Sequence, residues 1–320
     1  MRVLVTGGAG FIGSAFVRFV LSETDDVRVT TYDALTYAGN PANLASVEDA
    51  PRHTFVHGDV RDLPTLLAAA EGHDALVHFA AESHVDRSID GPDPFLSTNV
   101  LGTGVVLEVA RRLEIARTLH ISTDEVYGSI AEGSFVEGDP LEPNSPYSAS
   151  KAGADLLVRS YRETYGTPVV VSRTTNNFGP YHHPEKMIPL FVTNLLRGMK
   201  VPLYGDGRNV RDWLFVQDNV AAQWLLLTDG VAGEVYNVGA GNEVTNLDLT
   251  HRILGLLGAD QDRIEHVPDR PGHDLRYSVD TARVRSLGWS PARSLDDALE
   301  ETVTWYRENR DWWLPLVAAG

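Results

Sequence analysis

Tyr147 and Lys151 stand four residues apart in Tyr147-Ser148-Ala149-Ser150-Lys151, a spacing that puts a phenol and an ammonium one turn apart on one helix face. An unperturbed tyrosine has a pKa of about 10, so near neutrality it becomes a base only where a positive neighbour favours the phenolate. Lys151 is such a neighbour. Alone, the spacing also describes many ordinary surface pairs. A second group lies in Ser122-Thr123-Asp124-Glu125-Val126-Tyr127-Gly128. Two adjacent carboxylates suit paired acid and base work, yet in a continuing strand they would face opposite sides. Both reach one substrate only if the chain turns near Asp124; otherwise one of them is a solvated acid or a helix cap.

The sequence Gly7-Gly8-Ala9-Gly10-Phe11-Ile12-Gly13 follows a short apolar run and contains Gly8-x-Gly10-x-x-Gly13 as well as Gly7-x-x-Gly10-x-x-Gly13. A pyrophosphate needs backbone N–H groups to approach it at a helix N-terminus, where side chains would obstruct it. Asp33 lies 20 residues beyond Gly13, at the end of the second strand-like run. Its carboxylate suits both ribose hydroxyls and repels a 2′-phosphate, which favours NAD over NADP. The competing reading is a turn needed only for tight strand–helix packing. Phe11 and Ile12 complete the turn, and Ala34, Leu35 and Thr36 follow Asp33 on the same expected wall. Asp59, Val60, Ala80, Ala81 and Thr98 fit a cofactor wall and fit local packing or capping equally well. With NAD in place, the oxidised nicotinamide would join Lys151 in favouring the Tyr147 phenolate.

The elements that must position these groups alternate. Residues 3–6, 27–32, 54–56, 75–79, 118–122 and 169–173 read as short strands, separated by helical spacing over 11–21, 63–70, 95–113 and 149–165. This predicts an α/β protein with a Rossmann-type doubly wound parallel sheet. Beyond about residue 178 the chain becomes richer in Pro and Gly, which predicts a smaller mixed α/β C-terminal domain for substrate. The expected division is 1–178 for NAD and 179–320 mainly for substrate. Residues 213–216 and 236–238 look like strands able to return to the main sheet. The last helix is expected over 294–309, capped by Ser294, with Leu295, Ala298, Leu299, Val303 and Tyr306 as its apolar stripe.

The chain has 320 residues, is 43 % hydrophobic and carries a net charge of −17 from 27 basic and 44 acidic residues. That charge opposes general attraction to nucleic acid or anionic lipid. An anionic small molecule would need local cations, for which Lys186, Arg208, Arg211, Arg270 and His273 are candidates. The absence of cysteine excludes disulfides, a thiolate nucleophile, iron–sulfur clusters and thiolate zinc sites, and no metal is expected. With no apolar run near the roughly 20 residues that span a bilayer and no secretory layout after Met1, a soluble cytoplasmic protein is expected.

Taken together, GGAGFIG at 7–13, LTYAGN at 35–40, AAESHVDRS at 80–88, STDEVYG at 122–128, SPYSASKA at 145–152, NNFGPY at 176–181, RPGHDLRY at 270–277 and the tail WYRENRDWW resemble the extended short-chain dehydrogenase/reductases. Among these the likeness is to the dTDP-glucose 4,6-dehydratases, and it runs essentially end to end. It implies Tyr147 as the base at the sugar 4-hydroxyl, with Lys151 lowering its pKa and holding the nicotinamide ribose. It further implies Thr123 at the 4-oxygen, Glu125 as the base at C5 and Asp124 as the acid that protonates the departing 6-hydroxyl. By the same likeness Ser83, Asn176, Lys186, Met187, Pro202, Tyr204, Arg211, Asn246, Arg270 and His273 would line the nucleotide-sugar site. Ser83 and Asn177 would also serve the cofactor side, and a homodimer would form through the helices at 95–113 and 149–165.

Departures from the family pattern are small. Phe178 stands where tyrosine is usual, Arg173-Thr174-Thr175 is less typical before the Asn pair, and the segment between Gly128 and Pro146 is short. The rival readings are a UDP-sugar dehydratase or a 4-epimerase on the same scaffold, and a non-catalytic sensor of sugar nucleotides. The Asp124-Glu125 pair argues against epimerisation, and retention of Tyr147, Lys151, Asp124 and Glu125 argues against the sensor.

Overall fold

The computed structural model describes residues 1–318; Ala319 and Gly320, the end of the expected second domain, lie outside the described residues. The first half alternates as expected: β1 (Arg2–Thr6), α1 (Phe11–Glu23), β2 (Arg28–Asp33), β3 (His53–His57), α2 (Leu63–Ala70) and β4 (Ala75–His78). After β4 come α3 (Val85–Asp90), α4 (Asp93–Phe95), α5 (Thr103–Arg112), β5 (Arg117–Thr123), α6 (Pro146–Tyr165), β6 (Val169–Thr174) and β7 (Asn176–Phe178). Val3, Leu4, Val5, Leu76, Val77 and Leu119 are fully buried, as befits parallel strands covered by helices on both faces.

The remaining elements are α7 (Met187–Leu196), β8 (Val201–Tyr204), β9 (Val210–Phe215), α8 (Val216–Asp229), β10 (Val235–Val238), β11 (Glu243–Thr245), α9 (Asn246–Leu257), β12 (Ile264–Val267), α10 (Ala282–Ser286), α11 (Leu295–Glu308) and α12 (Arg310–Ala318). The main sheet has seven strands in the order β10-β6-β5-β4-β1-β2-β3, every pair parallel. The order reverses direction between β1 and β4, so a crevice opens at their carboxyl ends, where such sheets hold ligands.

Residues 236–238 do return to this sheet, as part of β10. Residues 213–216 do not. β7 leaves the main sheet directly after β6 and takes β9 as a parallel partner, β11 closes the other edge, and Val216 already begins α8. The physical cause is the second core, in which Trp213 and Phe215 of β9 pack with Phe178, Phe191, Leu249, Leu299 and Tyr306. A third, two-stranded ladder joins β8 and β12.

Two helical expectations also change. The stretch 95–113 is interrupted by π-helical turns at Leu96–Gly102, centred on buried Asn99, which exchanges hydrogen bonds with the Glu82 backbone and donates to Ser150 Oγ at 2.8 Å. π-helical insertions of this kind concentrate at functional sites. The chain also continues beyond Asn309 into α12, with Trp313 fully buried. α11 itself starts where its cap predicts, Ser294 accepting from Asp297 N.

Candidate active site

The glycine turn is shaped by close approach. Gly7 has φ +70°, and a Cβ there would lie 2.5 Å from Ala80 N; one on Gly13 would lie 2.2 Å from Gly7 O. The turn therefore packs β1 against α1 and β4, while Gly10 forms the N-cap of α1 with no side chain in the way. Asp33 accepts from Ala9 N at 2.9 Å and Leu35 N at 2.8 Å, which joins the end of β2 to the turn. Burial raises its pKa against those two hydrogen bonds.

A cavity of about 410 Å³ opens beside this turn. Its wall includes Gly7, Gly10, Phe11, Ile12, Gly13, Asp33, Ala34, Thr36, Asp59, Val60, Ala80, Ala81, Ser83 and Thr98. From the opposite side come Thr123, Asp124, Glu125, Tyr147, Lys151, Asn176, Asn177 and Lys186. Leu35, expected on this wall, is absent from it; at φ +51° it turns the chain and donates its N–H to Asp33.

The chain turns at Asp124, as the acid pair requires. A 3₁₀ helix spans Asp124–Tyr127, with Thr123 Oγ1 accepting from Glu125 N at 3.2 Å. Both residues consequently line the cavity. Ser145 and Pro146 start α6 with a reciprocal capping box, so Tyr147 and Lys151 occupy one helical face. Lys151 Nζ donates to Ile121 O at 2.6 Å, and the Tyr147 hydroxyl meets the Thr123 side chain.

The environments of the two acids differ. Asp124 is almost wholly buried, and burial, Glu125 and Asp212 hold its carboxyl well above the usual range. Glu125 is also raised by burial, but Arg270, Arg211 and Lys186 oppose that shift. Both carboxyls are thus raised, Asp124 the more strongly because no comparable set of cations opposes its burial, and unequal environments of this kind are what an acid–base pair requires. Burial, followed by the Glu125 charge, raises the Tyr147 phenol, and the hydrogen bond with Thr123 opposes them. Lys151 is lowered to about 8 by burial, with Asp155 opposing.

Met187, Pro202, Tyr204, Arg211, Asn246, Arg270 and His273 do not line the cavity. Three of them form a separate cluster: Tyr204 donates to Asp86 at 3.0 Å, Arg270 pairs with the same carboxylate at 3.3 Å, and the Tyr204 and His273 rings meet edge to face at 6.1 Å. Arg211 lies over the Tyr277 ring at 4.2 Å and donates to Asp274 O. Arg208 is an exposed residue paired with Asp206 and does not line the cavity. Lys186 donates to Ser83 O at 2.7 Å. Arg173, atypical in the sequence, is buried in an ion pair with Asp155 at 2.9 Å and donates to Tyr127.

The cavity also has walls that sequence reasoning missed: Asn40, Asn43, Tyr181, His182, Trp312 and Leu316. Only the aromatic tail and the Asn-rich segment after Asp33 signalled them. Several buried polar atoms on the wall lack a partner, including Asp124 Oδ2, Thr175 Oγ1, Asn176 Oδ1 and Asn177 Oδ1. Such atoms are costly unless a ligand or water satisfies them. Among the described residues no group of His, Asp or Glu could hold a metal ion, and no helix is long and apolar enough to cross a membrane.

The parallel sheet, glycine turn and Tyr147–Lys151 pair define an enzyme of the short-chain dehydrogenase/reductase class. The family model for GDP-mannose 4,6 dehydratase matches residues 4–302. A dTDP-glucose 4,6-dehydratase of Streptomyces niveus is 54 % identical over 99 % of this chain and 96 % of its own length. The crystal structure of DesIV, a dTDP-glucose 4,6-dehydratase from Streptomyces venezuelae with NAD and dTDP bound, superposes with a TM-score of 0.97. That match has 56 % identity and covers 99 % of this chain and 100 % of DesIV. A UDP-glucose 4-epimerase from Thermus thermophilus shares the fold at 30 % identity and a TM-score of 0.89, covering 97 % of this chain and all of its own. The chain belongs to the dTDP-glucose 4,6-dehydratase family.

Proposed function

We propose that this NAD-dependent hydro-lyase converts dTDP-glucose to dTDP-4-keto-6-deoxyglucose and water by C4 oxidation, C5–C6 elimination and return of the hydride to C6. The observation that carries the reading is the turn at Asp124, which brings Asp124 and Glu125 into the cavity that also holds Tyr147 and Lys151. A shared scaffold alone would not separate this reaction from epimerisation.

The glycine turn, Asp33 and the unpartnered polar atoms fit NAD, which when bound supplies a reversible hydride acceptor and a positive charge beside Tyr147. Thr123 and Tyr147 hold the 4-oxygen of the sugar, and Tyr147 takes its proton. Lys151 remains protonated below about pH 8 and contributes positive charge at this end of the cavity. The 4-ketone acidifies C5, Glu125 removes that proton, and neutral Asp124 donates to the departing 6-hydroxyl. Glu125 then returns a proton to C5.

In this reading residues 1–178 chiefly hold NAD, and 179–320 chiefly hold the nucleotide sugar, with Lys186, Arg211 and Arg270 nearest the diphosphate. The enzyme works in the cytoplasm as a homodimer, joined by the faces of α5, α6 and the π-helical turns. Exposed Leu96, Leu101 and Leu156 on those elements support that contact, and sedimentation at 35.1 kDa alone would contradict it. The direct test is incubation with dTDP-glucose and, separately, UDP-glucose without added cofactor. Loss of water from dTDP-glucose alone is expected; no loss from either after NAD is supplied would overturn the reading.

A further inference from the structure

α12 is anchored from below and turned toward the cavity from above. Trp313 is fully buried and donates from Nε1 to Tyr306 O at 2.7 Å. Its neighbour Trp312 and, one turn on, Leu316 form part of the cavity wall. Trp312 Nε1 donates to Asn43 Oδ1 at 2.9 Å, and Asn43 Nδ2 donates in turn to Ala9 O at 2.9 Å. Asn43 is 2 % exposed, so a lost partner there would not be replaced freely by water. Ala9, inside the glycine turn, is thus held at both ends of its peptide environment: Asp33 receives its N–H, and Asn43 donates to its carbonyl. The Trp312 ring also meets Trp305 and Tyr181 edge to face at 5.1 and 5.6 Å.

We propose that Trp312 and Leu316 are the C-terminal wall of the NAD site, and that the relay Trp312–Asn43–Ala9 makes docking of α12 govern how slowly NAD leaves. The proposal rests on the cofactor reading above and extends it to a helix far along the chain from the glycine turn. NAD held between the turn and α12 departs only when that flank opens. Removing the indole N–H leaves Asn43 with an unmet acceptor and loosens the flank without removing the ring.

The test compares wild type, Trp312→Phe, Trp312→Ala and Leu316→Ala, each loaded with NAD. Bound NAD per chain is measured after gel filtration, and the release rate is followed in a chase with unlabelled NAD after loading with radiolabelled NAD. Thermal melting reports folding. Release about fivefold faster in Trp312→Phe is expected from loss of a hydrogen bond, and about tenfold or more from Trp312→Ala. If Trp312→Ala does not fold, Trp312→Phe and Leu316→Ala decide. NAD bound and released alike by wild type and every folded variant overturns this proposal alone. A wild-type chain that binds no NAD overturns the cofactor reading together with it.

Discussion

Lys151 donates to the carbonyl of Ile121 at 2.6 Å, so the ammonium is fixed to the end of β5 while Tyr147, one turn earlier on α6, meets Thr123. In the folded chain burial lowers Lys151 to about 8 from a reference of 10.5, with Asp155 opposing. Below about pH 8 both folded and unfolded chains carry this charge, and the cost of burying it is fully present. Between that value and the reference only the unfolded chain keeps the proton, so this group's contribution to stability rises with pH. Lys151→Met removes the titration. The unfolding free energy of cofactor-free wild type, relative to the variant, should gain about 3 kcal/mol across that window. Denaturant titrations at a series of pH values check this; a flat difference would contradict the burial.

Asp124 presents the opposite sign. Its folded pKa is raised, first by burial and then by Glu125, so above about pH 4 the unfolded carboxyl loses a proton that the folded one retains. Stability from this group therefore falls as pH rises through that region. Asp124→Asn should melt higher than wild type at pH 7, with the advantage disappearing below pH 4, while turnover falls by about 10²–10⁴. Parallel melting and activity profiles would separate the two effects.

Replacing Glu125 by Gln retains its size and removes its basicity. Turnover should fall by about 10²–10⁴, with bound NAD unchanged. A substrate deuterated at C5 should show a larger isotope effect on the variant than on wild type, because C5 proton removal then limits the rate. Normal turnover by the variant would exclude Glu125 as the base.

Asp33→Asn keeps the outline of the side chain but loses the charge that holds Ala9 N and Leu35 N. The same charge is expected to accept from the ribose hydroxyls, and a charged hydrogen bond is worth about 1.5–3 kcal/mol, so the NAD dissociation constant should rise by about tenfold or more. Discrimination against NADP should narrow as well. Calorimetric titration of both dinucleotides into cofactor-free protein measures each change.

Much of the first half was legible because its information is local. Buried parallel strands read as apolar runs, and Ser294 announces its helix, whereas α6 starts at Pro146, ahead of the expected 149, because Ser145 and Ser148 form a capping box. The π-helical turns at Leu96–Gly102 were not legible: Asn99 is held by Glu82 and Ser150, partners remote in sequence. β9 likewise looked ready for the main sheet, and only its packing into the second core removed it. At the site, the glycine turn announced its own chemistry, whereas the acid pair stayed open on its residues alone, because only a turn at Asp124 lets both side chains reach one cavity. Arg211 and Arg270 were named from the charge balance and again through family likeness, but their partners Asp274 and Asp86 depend on tertiary placement. Trp312 was hidden for a related reason: α12 is short, contains Pro315, and finds its hydrogen-bond partner near the beginning of the chain.

The return of β10 to the outer side of β6 also constrains the order in which the molecule can be completed. A growing chain that has reached only residue 178 possesses β6, all six of whose residues are buried in the finished protein, but not the strand that covers its edge. Such an edge invites pairing with other chains. During synthesis the first half must therefore wait through α7, β8, β9 and α8 before its sheet is closed. A cut near residue 178 would sever the folding unit, and it would also divide the wall of the cavity, to which residues on both sides contribute.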